Sequence, residues 1–219
     1  MDGPLKNLLV VDLTRVLVGP YCTMILSDLG ARVIKIEAPE IGDDSRKFGP
    51  FIKKRSSYFI SLNRGKKSIV VDFNNEEDKK IFKKLLAISD VIIDNFKPGT
   101  LEKYGFSSSY LKKNFPLLIQ TKISGFGETG PLKENPAYDM IVQAMGGIMS
   151  ITGKDKNETY RVGSSIGDIV AGLYAVIGVL TQIIFRNQSK KGSRLDLRQT
   201  GTEVKQFCPE AYKVMVDIM

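Results

Sequence analysis

The chain has 219 residues, of which 42% are hydrophobic and 26% are charged. This length and hydrophobic content are enough to bury a core in one domain. Its formal net charge of +8 favours an anionic ligand, but lysines alternate with acids, as in residues 76–80, so a nucleic-acid partner is not expected. The absence of histidine excludes triads with a histidine base and histidine metal sites, which leaves carboxylates, lysines, tyrosines and hydroxyls for any chemistry.

The first part of the chain alternates apolar, β-branched runs with helical stretches. Residues 8–13 are predicted to form a strand, and a helix follows that begins near Pro20 and ends at Gly30. Residues 32–37 are predicted to be the second strand. The stretch 39–58 is rich in glycine, charge and proline, so it is expected to be a loop.

The middle of the chain continues the same alternation. Residues 68–73 are predicted to be the third strand, and an asparagine pair caps a helix that runs through Ile88. Strands are predicted at 90–96 and 117–123, with a short amphipathic helix over 108–115 between them.

The last part combines a glycine-rich loop with apolar helices. Residues 124–131 are predicted to be a loop, 138–144 a helix and 166–186 a long apolar helix. Its uncharged stretch 169–185 is at the lower limit for a membrane span, and its polar and glycine positions favour a helix buried in a soluble core. The predicted fold is α/β, with an open, mostly parallel, Rossmann-like sheet and helices on both faces, ending in the long buried helix and one further strand.

The opening strand, loop, helix and strand form one candidate site. The unit ends in Glu37, which is typical of a dinucleotide site where an acid binds a ribose hydroxyl. The glycine fingerprint is absent, and the side chains of Thr14, Arg15, Val16 and Leu17 would block a pyrophosphate. A nicotinamide or flavin role is therefore not expected, although an adenine or a pantetheine arm could lie between the apolar side chains.

Two acids near helix starts form further candidate sites. Ser165 and Asp168 match a capping box, so spacing alone favours a structural role for Asp168. The alternative is a nucleophile, because neighbouring glycines leave room for a bulky substrate and a carboxylate there would stay ionised. Tyr138 and Asp139 would by themselves be interpreted as a packed ring and a helix cap.

The segments taken together, from about Pro4 to Leu197, resemble CoA-transferase family III, also called the CaiB/BaiF family. Within it, the chain looks most similar to dicarboxylate enzymes such as succinate-hydroxymethylglutarate CoA-transferase. The motifs that carry the resemblance are DLTRVLVGP at 12–20, GARVIKIE at 30–37, GDD at 42–44, NRGKKSI at 63–69, DNFKPG at 94–99, SGFG at 124–127, YD at 138–139 and GD at 167–168.

The resemblance implies an aspartate nucleophile, Asp168. This carboxylate would attack the donor thioester to give an acyl-aspartyl anhydride, CoA would return to form an aspartyl-CoA thioester, and the acceptor acid would take up the CoA. The resemblance thus implies that CoA is a substrate, and neither a permanently bound cofactor nor a metal is expected. The residues that the resemblance places around CoA are Val16, Leu17, Val71, Asn95 and Phe96, with Arg15 and Lys103 at the phosphates and Tyr138 and Asp139 near the thioester.

The resemblance also suggests alternatives to a transferase. Some members of the family are acyl-CoA racemases with a histidine where this chain has Tyr138, so a transferase is favoured here. Members continue into a second domain, and they interlink as dimers. The expected organisation is therefore a family domain over 1–198 and a divergent tail over 199–219, and a catalytically silent CoA-binding fragment is the second hypothesis.

The expected partners are acyl-CoA, carboxylic acids and a second copy of the chain in a homodimer, without nucleic acid or membrane. The start of the chain has no visible targeting peptide, and Cys22 and Cys208 are too far apart in sequence to suggest a disulfide framework. An intracellular compartment is expected, which would be the mitochondrial matrix in a eukaryote and the cytoplasm otherwise.

Overall fold

A six-stranded, wholly parallel sheet forms the centre of the computed structural model, which describes residues 3–155 and 157–199. Its strands are β1 (Leu9–Asp12), β2 (Arg32–Glu37), β5 (Lys67–Val70), β6 (Val91–Asp94), β7 (Ile119–Ser124) and β10 (Arg194–Arg198). Two small hairpins pair β3 (Phe51–Ile52) with β4 (Arg55–Ser56) and β8 (Gly153–Asp155) with β9 (Glu158–Thr159). The helices are α1 (Val18–Asp28), α2 (Ser57–Asn63), α3 (Glu76–Ala87), α4 (Thr100–Lys103), α5 (Ser108–Asn114), α6 (Asp139–Met145) and α7 (Ile166–Ser189), with 3₁₀ turns at Asp44–Lys47 and Ile148–Ile151.

The strand order, β10-β7-β6-β1-β2-β5, confirms the predicted Rossmann-like architecture. The chain proceeds outward from β1 through β2 and β5, and then places β6, β7 and β10 on the other side of β1. The direction of winding therefore reverses between β1 and β6. In an open parallel sheet the loops that leave the carboxyl ends of two such strands diverge, and the crevice between them is the usual ligand site.

Helices cover both faces of this sheet, as predicted. Because side chains alternate along a strand, Val10 faces the apolar cluster under α1 and α7, whereas Val11 faces the cluster under α3, α4 and α5. In the second cluster Phe82 is fully buried and meets the rings of Phe73 and Phe106 edge to face, at centroid distances of 5.0 and 4.9 Å. These two layers fix the sheet and the loops at its ends.

The stretch 39–58 is not the loop that its composition predicts. It contains the 3₁₀ turn, the β3–β4 hairpin and the start of α2. The Ser56 side chain caps α2 by accepting a hydrogen bond from the Phe59 amide at 3.0 Å. Its own hydroxyl also contacts the Ser45 carbonyl oxygen at 2.8 Å, so tertiary contacts organise a segment with weak local preferences.

The long helix α7 and the strand after it are confirmed, but burial of the helix is one-sided. Small residues on one face pack against α1, and a Cβ atom on Gly172 would lie 2.9 Å from the Val18 carbonyl oxygen. The opposite face exposes Leu173, Ile177 and Phe185. The helix is also long and apolar enough to cross a membrane, by length and composition alone.

Candidate active site

Two loops meet at the winding reversal of the sheet, one after β1 and one after β6. The Asn95 side chain joins them, because its Oδ1 accepts a hydrogen bond from the Arg15 amide and its Nδ2 donates to the Arg15 carbonyl oxygen, each at 2.9 Å. An amide side chain that binds both backbone groups of one residue fixes the position of that residue. The crevice expected from the strand order therefore has a rigid floor at Arg15.

The residue after Arg15 has a strained backbone. Val16 has a φ of 70°, a left-handed conformation that is unfavourable for a β-branched side chain. Its amide donates to Asp43 Oδ1 at 3.1 Å, and Lys35 Nζ lies 2.9 Å from Asp43 Oδ2 and 2.6 Å from the Thr14 carbonyl oxygen. Burial alone would raise the pKa of Asp43, but the charge of Lys35 and hydrogen bonds from Lys35 and Ser45 lower it. A buried ion pair thus holds the loop in its strained form.

A second buried ion pair lies behind the same loop. Lys66 Nζ is 3.1 Å from Asp12 Oδ2, and the two side chains are 1% and 0% exposed. Burial opposes ionisation of Asp12, but the charges of Lys66 and Lys35 and hydrogen bonds from Thr14 and Thr23 outweigh it and lower its pKa. Lys66 belongs to the NRGKKSI segment, which gives that motif a structural role in supporting the cleft.

The crevice consists of two adjoining clefts. The larger, about 610 Å³, has the size of a small-molecule or cofactor site, and the smaller has about 260 Å³. Most residues predicted to contact CoA line one or both of them. Lining both are Arg15, Val16, Asn95, Phe96 and Tyr138; Val71 lines only the larger cleft, whereas Leu17, Asp139 and Asp168 line only the smaller.

Lys103 ends the short helix α4 and lines neither cleft, so its contact with CoA stays a prediction. Lys97, which was not singled out, lines both clefts and supplies a cation beside Arg15. Arg15 also forms an ion pair with Asp44, at 2.5 Å between Nη2 and Oδ2, and both residues line the larger cleft. Both side chains of this pair are exposed.

Asp168 occupies the first turn of α7, but it does not form the predicted capping box. Ser165 has the N-cap position and makes no side-chain capping hydrogen bond. Asp139, at the start of α6, supplies the capping hydrogen bond in place of Ser165. Its Oδ1 accepts from the Gly167 amide at 2.9 Å, and its Oδ2 accepts from Gln143 Nε2 at 2.6 Å. The expectation of a local cap at Asp139 is therefore wrong as well, because Asp139 caps a helix that is distant in sequence.

The close approach of α6 and α7 explains this arrangement. A Cβ atom on Gly167 would lie 2.8 Å from Cγ1 of Val142, so glycine lets the two helices meet. Tyr138, expected to be a packed ring, is 77% exposed and lines both clefts instead. The YD and GD motifs therefore come together in space, and they place Asp139 next to the carboxylate of Asp168.

The pKa of Asp168 is raised to about 6, first by burial and then by the negative charge of Asp139, while a hydrogen bond from Gln199 acts in the opposite direction. About nine-tenths of such a group is ionised at pH 7, so it is a carboxylate with more basic character than an exposed aspartate. The pKa of Tyr58 is raised by burial and by the charges of Asp168 and Asp43, so Tyr58 also faces this acid.

Besides Lys97, reasoning from sequence missed four residues that contact the loop around Val16 or lie close to Asp168. Asp43 and Lys35 lie inside motifs of the resemblance, yet nothing local marks them as a pair that fixes Val16. Tyr58 was placed in a loop. Gln199 was assigned to the divergent tail, and its Nε2 donates a hydrogen bond to Asp168 Oδ1.

Comparison with known proteins identifies the family of the chain. The sequence profile of CoA-transferase family III matches residues 5–214. Acetyl-CoA:oxalate CoA-transferase of Acetobacter aceti is 46% identical over 196 residues, which are 89% of this chain and 50% of that protein. Succinyl-CoA:glutarate CoA-transferase of Homo sapiens is 39% identical over 202 residues, 92% of this chain and 46% of that protein.

A solved structure supports the same assignment at the level of the fold. The crystal structure of a CaiB/BaiF family protein from Brucella suis superposes with a TM-score of 0.88 at 40% identity, covering 100% of this chain and 59% of that one. The chain spans about half the length of the curated relatives it matches. On the profile match and these relatives, the chain belongs to CoA-transferase family III.

Proposed function

We propose that the chain acts in CoA transfer between dicarboxylic acids, with Asp168 as the nucleophile. One observation carries this proposal: the cleft that Asp168 lines adjoins the larger cleft and shares with it Arg15, Val16, Asn95, Phe96, Lys97 and Tyr138. A ligand in the larger cleft could therefore extend its reactive end to the carboxylate. A cleft of this size, lined by apolar side chains and by the cations Arg15 and Lys97, suits an elongated anionic thioester.

The reaction is a sequence of acyl exchanges without oxidation or reduction. Asp168 Oδ2 attacks the donor thioester carbonyl, the C–S bond breaks, and CoA leaves as a thiolate. The thiolate then attacks Cγ of Asp168, the Cγ–Oδ2 bond breaks, and the donor acid leaves with that oxygen, which produces the aspartyl-CoA thioester. The acceptor carboxylate attacks the same carbon and expels the thiolate, which gives an anhydride between Asp168 and the acceptor. The thiolate then attacks the acceptor carbonyl carbon, its C–O bond to the bridging oxygen breaks, and the acceptor acyl-CoA leaves while that oxygen stays on Asp168 as part of the restored carboxylate. Each intermediate is close in energy to the substrates, so transfer remains reversible.

The raised pKa of Asp168 suits this role. A carboxylate beside a lysine would be ionised at all physiological pH values but would be a weaker nucleophile, because the cation stabilises the charge that the reaction must neutralise. Burial and the neighbouring acid have the opposite effect on Asp168. The group is therefore both ionised near neutrality and reactive.

Dicarboxylic acids are proposed as substrates for two reasons. The names of relatives include oxalate and glutarate as CoA acceptors. Within this chain, Arg15, Lys97 and Lys133 line the same cleft as Asp168, so cations are available for a second carboxylate. The predicted homodimer and intracellular location stay predictions, which light scattering and cell fractionation would test.

Trapping of the acyl-enzyme tests the proposal. The 219-residue protein is incubated with succinyl-CoA and hydroxylamine at neutral pH, and peptide mass spectrometry locates the hydroxamate; exchange of labelled succinate into succinyl-CoA is measured in parallel. A hydroxamate at Asp168 and measurable exchange are expected, and both should be lost in Asp168→Asn but retained in Asp155→Asn, a change at an exposed acid of β8. No modification at Asp168 together with no exchange would reject the nucleophile.

A CoA-binding fragment without turnover is the second candidate. It is favoured by the larger cleft, which forms within one chain, and by the partial coverage of the relatives. In that case CoA would raise the melting temperature of the wild type and of Asp168→Asn equally, because a ligand stabilises any folded protein that binds it. Such stabilisation without exchange would select this candidate.

A further inference from the structure

Gln199 follows the edge strand β10 directly, and its backbone is fixed by the neighbouring strand. The parallel pairing of β10 with β7 aligns Arg198 with Ser124, and the Gln199 amide donates to the Ser124 carbonyl oxygen at 3.0 Å. The side chain then extends over the start of α7, where Nε2 donates to Asp168 Oδ1. The residue lines the same cleft as Asp168.

Asp168 lies among charged groups from several elements. Asp139 approaches from α6 and Tyr58 from α2, while the loops of the cleft contribute Arg15, Lys97, Lys133 and Glu134. Asp139 opposes ionisation of Asp168, and the amide of Gln199 favours it. A neutral donor differs from an ammonium group, because it supports the charged carboxylate without cancelling its charge.

We propose that Gln199 positions the nucleophile by holding Asp168 Oδ1 throughout the reaction, which leaves Oδ2 as the attacking oxygen. This inference rests on the proposed function of Asp168. When thiolate or acceptor carboxylate attacks Cγ, negative charge develops on Oδ1, and the amide N–H already points at that atom. A donor fixed before the reaction stabilises such an oxyanion without reorganisation.

The backbone hydrogen bond to Ser124 fixes the position from which the Gln199 side chain reaches Asp168. A side chain on a free tail would have to lose conformational freedom to hold Asp168, whereas Gln199 is already anchored at the end of a strand. The glutamine has the length to span from the edge strand to the first turn of α7. Asparagine, one methylene shorter, should not reach.

Two substitutions with opposite chemistry test the proposal. Gln199→Leu removes the donor, and Gln199→Lys replaces it with a cation. The pKa of the Asp168 carboxyl is measured by ¹³C NMR titration of the full chain, and acyl exchange is measured against pH. We expect Gln199→Leu to raise that pKa, to move the acid limb of the exchange profile to higher pH and to lower exchange by roughly 10²-fold, the effect of losing one oxyanion donor. Gln199→Lys should move the pKa in the opposite direction.

Gln188→Leu is the matched control, because this glutamine is exposed near the end of α7. It should change neither the pKa of Asp168 nor the exchange rate. Gln199→Asn, a milder change for the fold, should reproduce the direction of Gln199→Leu. An Asp168 pKa that is the same in Gln199→Leu, Gln199→Lys and wild type would overturn the proposal. The titration needs no turnover, so it decides the role of Gln199 even if exchange is absent, and absent exchange counts only against the proposed function.

Discussion

Aspartates below the Arg15 loop and the aspartate at the start of α7 have pKa shifts in opposite directions. Under the Arg15 loop, Asp12 and Asp43 are each held by a buried lysine, and their pKa values are lowered. At the start of α7, Asp168 faces another acid and a neutral amide, and its pKa is raised to about 6. Burial acts in the same direction on all three carboxylates, so their partners decide the outcome.

This difference distinguishes the two acids that support the Arg15 loop from the proposed nucleophile. A carboxylate neutralised by a buried cation contributes to a fixed geometry, because removing either partner leaves an unpaired charge. A carboxylate beside a like charge is destabilising in the folded state, and its basicity is available for reaction. The three predictions that follow test this distinction, from the largest expected effect on stability to the smallest.

Lys66→Met should be the most damaging of these changes. It leaves buried Asp12 without the ammonium group that contacts it, so the free energy of unfolding should fall by about 3–5 kcal/mol. Urea denaturation at pH 7 measures the effect. Lys80→Met, on the exposed pair with Glu77, should change it by less than about 0.5 kcal/mol. Similar losses in the two variants would show that the pair under the cleft has no special structural role.

Asp168→Asn should make the protein more stable. The pKa of this acid is about 6 when folded and 3.8 as reference, so stability falls as pH rises between these values and the penalty is constant above them. Asparagine resembles the protonated acid, and the variant should gain roughly 1–3 kcal/mol above pH 6. The gain should disappear below pH 3.8. Denaturation curves across this range check the prediction, and a variant less stable at pH 7 than the wild type would contradict it.

Arg15→Gln should hardly change stability and should weaken binding. Its ion pair with Asp44 has side chains that are 42% and 43% exposed, and such pairs contribute less than about 1 kcal/mol. The backbone of residue 15 stays bound to Asn95, so the loop should keep its shape. Isothermal titration with CoA should show lower affinity than the wild type. Unchanged affinity would place the CoA phosphates elsewhere.

The sheet was predictable because its signals are local. Apolar runs rich in β-branched residues predicted β1, β2, β5, β6 and β7, whereas β10, which has no β-branched residue, was expected only as one further strand after the long helix. The strand β2 begins and ends at the predicted residues, Arg32 and Glu37. Asn75 caps α3 as expected, accepting from the amide of Glu77 at 2.8 Å. The burial of α7 was less predictable, since its composition is apolar on all sides and does not indicate which face meets α1.

The details of the site were not predictable because they depend on long-range contacts. The spacing of Ser165 and Asp168 favours a local cap, yet Asp139, which is 28 residues away from Gly167, supplies the cap. The resemblance directed attention to the segment around Asp168, but the direction of the shift in the pKa of Asp168 depends on burial and on Asp139. No pattern in the sequence marks Gln199 as a neighbour of Asp168.

Val16 has a left-handed backbone, so at this position the native valine is less favourable for stability than glycine would be. Glycine adopts this conformation freely, whereas a non-glycine residue there costs of order 1–3 kcal/mol. The contacts of Asp43 and Asn95 hold the loop against that strain. Valine also gives both clefts a lining side chain with few rotamers, which glycine could not provide. Glycine at position 16 would therefore make the protein more stable and its ligand pocket less well defined.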